Sequence, residues 1–131
     1  MIIVLCVDDN MGLAFNRRRQ SKDAALREKL ASLSGGQLRM SEYSARQFDI
    51  PVYSGPDYLS AAAPGDWCFC EDTDFREYAG QIERIYLFRW NRVYPADLYF
   101  SFPGQWRLIS SEDFPGTSHE KITLEVYDHE S

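Results

Sequence analysis

Histidine is nearly absent: the 131 residues hold two, His119 and His129, beside three cysteines, Cys6, Cys68 and Cys70. Neither histidine lies near the cysteines in sequence, so the four-ligand spacing of a metal site is missing and no metal is expected. Positive charge is scarce as well. Fourteen Lys and Arg face twenty Asp and Glu, for a net charge of −6. That field repels nucleic acid and anionic membranes, which leaves a local basic patch as the one route to nucleic acid. Long apolar runs are lacking. Met1–Val7 is apolar, but Asp8 and Asp9 follow at once, so it reads as a buried strand and not as a signal core or a span. The expectations are a cytoplasmic chain and no membrane partner. No repeat, low-complexity tract or linker interrupts the sequence, and residues 1–131 are expected to form one domain.

What is present suits one packed core. The hydrophobic fraction is 44% and aromatics reach 15%, enough to fold without disulfides or metal. Cys68 and Cys70 share one face of a strand, and neighbours so close rarely bridge, so free thiols are expected.

The pattern predicts these elements. Ile2, Ile3, Val4, Leu5 and Val7 form a continuously apolar, β-branched strand covered on both faces. A polar loop runs from Asp8 to Lys22. Leu26, Leu30 and Leu33 mark a helix with Asp23 in its first turn, where the dipole favours a carboxylate, and Gly35-Gly36 at its end. A short strand over Gln37–Met40, a helical turn over Tyr43–Phe48 and a short helix over Asp57–Ala63 follow. Strands are expected at Asp66–Cys70, Arg84–Trp90, Gln105–Ser110 and Lys121–Tyr127, with Ile122, Leu124 and Val126 facing the core. Early strands alternate with helices, which implies parallel pairing. The last two have no helix between them, which implies a hairpin. The fold class is therefore α/β: a mixed, mostly parallel sheet with flanking helices and a C-terminal antiparallel hairpin.

Several stretches, in order, resemble the dihydrofolate reductases. Val7-Asp8 with Gly12 resembles the end of that family's first strand, and Met40 before Ser41-Glu42-Tyr43 its M-G-R-x-T/S. Ile85-Tyr86-Leu87, Ala96-Asp97-Leu98-Tyr99-Phe100 and Trp106-Arg107-Leu108-Ile109-Ser110 resemble its L-Y-L, G-D-T-x-F-P and W-x-x-V-S. The resemblance touches most of the chain, in shortened form, because Phe48–Asp57 is too brief for one strand-and-connection unit. It implies the family's fold, and it implies that Asp23 lies near the carboxylate that hydrogen-bonds the pterin. The flanking prolines and tryptophan are absent there.

The departures carry the functional reading. Phe88 stands where the family has a threonine that helps hold the carboxylate and the pterin amino group, and it offers no hydrogen bond. Glu42 stands where an arginine sits near the cofactor's 2′-phosphate. Cys70 and Glu71 stand where a glycine pair lets backbone approach the pyrophosphate, and Glu71 with Asp72 adds negative charge. Loss of NADPH binding is expected, and with it a degenerate reductase site.

Arg17, Arg18 and Arg19, with Lys22, form the only basic cluster. Guanidinium forks suit phosphate or carboxylate, and the unpaired N–H groups of the following helix start lie beside them. The expected site is an anionic small molecule held by Arg17, Arg18, Arg19 and Asp23, between this loop and strand ends near Trp67 and Trp90. The alternative is a solvated loop whose arginines pair with the surplus acid. Arg89-Trp90-Asn91-Arg92 could stack a base, or be a half-buried Trp with snorkelling arginines. The Ser118-His119 pair, adjacent in sequence, reads as hairpin-turn composition and not as part of a triad. The leading expectation is a binding or regulatory module, not an enzyme. A reductase acting on another heterocycle through Asp23 is the second, and an RNA-binding or RNA-processing protein the third.

Overall fold

A computed structural model describes residues 1–129. The elements in chain order are β1 (Ile2–Val7), β2 (Gly12–Phe15), β3 (Arg18–Arg19), α1 (Ala24–Ser34), β4 (Leu38–Met40), α2 (Glu42–Ala45), β5 (Tyr53–Ser54), β6 (Trp67–Phe69), β7 (Arg84–Arg89), β8 (Leu98–Tyr99), β9 (Trp106–Phe114) and β10 (Ile122–His129). A six-residue 3-10 helix, Arg76–Gln81, precedes β7. Seven strands form one sheet in the order β5-β4-β6-β1-β7-β10-β9. The first five run parallel. β10 is antiparallel to both β7 and β9. This is the mixed, mostly parallel sheet with a C-terminal hairpin that the pattern predicts. β1 lies inside it, buried almost throughout because its apolar run has no polar position to turn toward water.

Each face of the sheet carries its own core. Ile3, Leu5, Val7, Cys68, Cys70, Ile85 and Leu87 pack on one side with Phe75 and Phe100. Val4, Phe69, Phe88, Trp90, Ile122 and Leu124 pack on the other, beneath Leu26 and Leu30 of α1. The three cysteines are free thiols. Cys68 and Cys70 share a face as expected, and burial pushes the Cys68 thiol up to about 11 and Cys70 higher still.

The structure differs from the sequence pattern in several places: besides the 3-10 helix, Phe48–Asp57, read as too brief for a strand-and-connection unit, holds β5, parallel to β4. Asp8–Lys22 is not simply a loop: β2 and β3 form a hairpin inside it, and β8 completes a second sheet, β3-β2-β8. Strands of two to four residues are too short to show a two-residue period. Asp57–Ala63 forms turns and no helix, because Tyr58 and Leu59 are both buried and the local bonds, such as Tyr58 N–H to Gly55 O, are of the turn type. In α1, Leu33 is exposed and Ser34 buried. Asp23 is the N-cap of α1, one residue before the first turn. β9 runs on to Phe114, since pairing with β10 needs no apolar side chain.

Asp8, just beyond β1, ties the two sheets together. Its side chain is buried and accepts N–H groups from Asn10 at 2.9 Å, Gly12 at 2.8 Å and Tyr94 at 3.0 Å. Gly12 has no room for a side chain, because a Cβ there would lie 2.6 Å from Ala96 Cβ. Asp8→Ala strands these N–H groups and should cost at least about 2 kcal/mol in urea denaturation. A loss below about 0.5 kcal/mol would show that water replaces the carboxylate without penalty.

Candidate functional site

The carboxyl ends of the parallel strands and the start of α1 meet at one end of the sheet. Asp23 is the centre of this region and is 1% exposed. Its Oδ1 accepts the N–H groups of Ala25 at 2.9 Å and Leu26 at 3.3 Å, as an N-cap does. Oδ1 also accepts Thr117 N–H at 3.0 Å, and Oδ2 accepts Ser118 N–H at 2.7 Å. Oδ2 lies 3.0 Å from His119 Nδ1. Burial alone would raise this carboxyl's pKa. The N–H of Thr117, the His119 side chain and the N–H groups of Ser118 and Leu26 outweigh it and hold the pKa at about 2. The carboxylate is therefore ionised at neutral pH and can only accept, which places a proton on His119 Nδ1.

His119 is 4% exposed. Its ring stacks on Trp90 with centroids 4.6 Å apart. Nε2 lies 3.1 Å from Ser21 Oγ and 2.9 Å from Tyr94 Oη. The tight approach of the β9–β10 loop depends on Gly116, where a Cβ would meet Asp23 Oδ2 at 2.6 Å.

This geometry corrects the expected ligand set. Asp23 is not the polar contact of a ligand, because the chain's own donors occupy both oxygens. Trp90 is nearly buried beneath His119, and the cleft it lines, with Asn91, Arg92, Glu120 and Lys121, includes none of Arg17, Arg18 and Arg19. Trp67 is at the opposite end of the sheet: it pairs with Ile2 at the start of β1, whereas Arg89, the residue before Trp90, pairs with Val7 at its end.

The arginine cluster is divided. Arg19 Nε and Nη2 donate to Glu71 at 2.9 and 3.2 Å, and Gln47 Nε2 donates to the same carboxylate at 2.9 Å. The Arg19 guanidinium also lies over the Tyr43 ring, 4.3 Å from its centroid. Although burial opposes its charge, the bond to Glu71 raises the Arg19 pKa. Arg19 is thus a structural counter-ion. Arg17 and Arg18 are exposed at the β2–β3 turn. Arg17, with positive φ, lines a cleft shared with Asp72 and Asp97. Arg18 lines a separate cleft of about 340 Å³ with Phe15, Asn16, Gln20 and Pro95. Arg89 donates to Glu125 at 2.6 Å, so no continuous basic surface joins it to Arg92.

Of the residues that depart from the reductase pattern in sequence, Phe88, Cys70 and Glu71 are buried and Glu42 is exposed. Phe88 is fully buried in β7 and packs edge-on against Phe114. Glu42 is exposed at the start of α2, after the N-cap Ser41. Cys70 and Glu71 follow β6 directly, and the Glu71 side chain turns inward onto Arg19. A buried carboxylate at the glycine-pair position does not fit a pyrophosphate. Among the described residues, no group of three or more His, Cys, Asp or Glu could hold a metal ion, and no helix is long and apolar enough to cross a membrane.

Ser21, Tyr94 and His119 were not assembled by sequence reasoning. They are separated by up to 98 residues, and only the closure of the β9–β10 loop over α1 brings them together. The one signal was His119 itself, a rare residue in a loop of small ones.

Two measurements check these contacts. Arg19→Ala leaves Glu71 buried without its partner and should lower stability by about 3 kcal/mol, while Arg18→Ala should change it by less than about 0.5 kcal/mol. Equal effects would deny the division of the cluster. For Asp23, a folded pKa near 2 against the ordinary 3.8 means stability that is fully present above pH 4 and lost as pH falls toward 2. The loss should be about 2 kcal/mol. Denaturation curves of Asp23→Asn should be flatter across that window, and an unchanged slope would contradict the assignment.

No family model matches the chain, and no curated protein matches it in sequence. Among solved structures it is similar to dihydrofolate reductase from Enterococcus faecalis complexed with NADP(H) and RAB-propyl. The TM-score is 0.65 at 9% identity, over 99% of this chain and 96% of that one. The chain has the dihydrofolate reductase fold.

Proposed function

We propose that the chain is a small-molecule-binding domain that works without NADPH, and that its ligand carries an anionic group held by Arg18. The observation that supports this best is the division of the arginines. Arg19 is spent on Glu71 and Arg17 sits beside two carboxylates. Arg18 is exposed, has no ion pair among the described residues, and lines a cleft whose other named residues carry no charge except Arg19. A guanidinium so placed suits phosphate or carboxylate. Glu71, buried where a reductase has glycine, supports the loss of the cofactor. A heterocycle reductase acting through Asp23 is disfavoured by the five donors already on that carboxylate. RNA binding is disfavoured by the net charge of −6 and by the pairing of Arg89 with Glu125.

Calorimetric titration with NADPH should give no saturable heat; micromolar binding would return the reductase reading to first place. Amide NMR titration with inorganic phosphate and with malonate should move the resonances of Asn16–Gln20. Arg18→Ala should abolish those shifts while the melting temperature holds. Shifts that persist in the variant, or that never appear at this turn, would remove Arg18 as the anion site.

A further inference from the structure

Asp23, His119 and Ser21 stand in the order and at the distances of an acid–base–nucleophile relay. Asp23 Oδ2 is 3.0 Å from His119 Nδ1, and His119 Nε2 is 3.1 Å from Ser21 Oγ. The first two groups are sealed, at 1% and 4% exposure, and Ser21 is half-buried at the rim. A buried carboxylate that fixes the imidazole tautomer, with a hydroxyl on the other ring nitrogen, is what activates a serine. Tyr94 adds a fourth group. Its Oη is 2.9 Å from Nε2 and 3.5 Å from Ser21 Oγ. In the imidazole form with its proton on Nδ1, Nε2 has one lone pair for two hydroxyls, so only one of them can donate to it. When Ser21 donates to Nε2, the Tyr94 proton is free for another acceptor beside Oγ. A phenol there is a suitable donor to a developing oxyanion.

We propose that Ser21, His119 and Asp23 form a hydrolytic triad, with Tyr94 as oxyanion donor, for a small carboxylic ester that carries an anionic group. Only the anionic group rests on the Arg18 reading. Gln20 and Pro95, which line the Arg18 cleft, are the chain neighbours of Ser21 and Tyr94, and on this proposal the ester reaches from that cleft to Ser21. Ser21 Oγ forms a bond to the ester carbonyl carbon as its proton passes to His119 Nε2, and the carbonyl π pair moves to oxygen. The oxyanion accepts the Tyr94 O–H. On collapse the C–O bond to the alcohol breaks, and the alcohol leaves with the proton from Nε2. Water then gives a proton to Nε2 and attacks acyl-Ser21, and Ser21 departs with that proton. The sum is ester plus water to acid plus alcohol, with no change of oxidation state.

The test has two parts. A fluorophosphonate probe should give one adduct by intact mass, mapped to Ser21 and absent in Ser21→Ala and His119→Gln. Ser21→Ala removes one rim hydroxyl and should stay folded by circular dichroism, so that arm stands even if His119→Gln does not fold. Hydrolysis of 4-nitrophenyl acetate and 4-nitrophenyl hemisuccinate should fall at least about 100-fold in Ser21→Ala. Labelling that maps to Tyr94 or elsewhere, or turnover that survives Ser21→Ala, overturns the triad. Arg18→Ala should raise KM for the hemisuccinate about tenfold more than KM for the acetate. If the two move alike while the Ser21 adduct remains, the Arg18 reading fails and the triad stands with an ester not selected for charge.

Discussion

The buried carboxylate of Asp23 is the contact on which this end of the molecule depends. One side chain caps α1, closes the β9–β10 loop and fixes the proton position on His119. It is stable as an anion in a dry place only because five donors converge on it, and those donors come from two segments nearly a hundred residues apart. The same convergence removes it from any ligand. The loop after β9 supplies the partners and His119 takes the place above Trp90.

A second buried carboxylate is held in the same way. Just after β6, Glu71 turns in and engages Arg19 by two hydrogen bonds. A buried ion pair of this sort adds little net stability but is costly to break, because either partner left alone is an uncompensated charge. The hairpin carrying Arg19 is therefore held to the sheet by a contact that tolerates no half-measures.

The fold was legible wherever burial leaves a periodic trace. The unbroken run of β1 and the alternation of β10 placed both strands and their orientation, and the glycine pair marked the end of α1. Short elements left no trace: β2, β3 and β8 are specified by backbone pairing across the turn, not by side-chain period. Leu33 shows the limit of spacing arguments at a helix end, where the last turn has rotated away from the core. At the site, motif order drew attention to Asp23, Phe88 and Glu71, and all three are buried. What each one touches was not legible, since a carboxylate at a helix start reads the same whether its oxygens face a ligand or a loop. The contacts of Ser21 and Tyr94 with His119 are purely tertiary, and in the sequence Ser118-His119 read only as hairpin-turn composition.

The register of the final hairpin has a consequence for the molecule among its copies. β9 is the outer strand of the seven and is exposed along most of its length, with Leu108 and Ile109 outward. Its pairing with β10 steps from Leu108 to Ser110, so Ile109 is an extra residue on the β9 side. Such an extra residue bends the strand and breaks the even row of outward N–H and C=O groups. The row is divided into a short piece before Ile109 and a longer one that carries Glu112 and Asp113. Neither piece is a flat, uncharged template on which another chain could lay a strand, so the irregularity guards the open margin of the sheet against fibre-like growth.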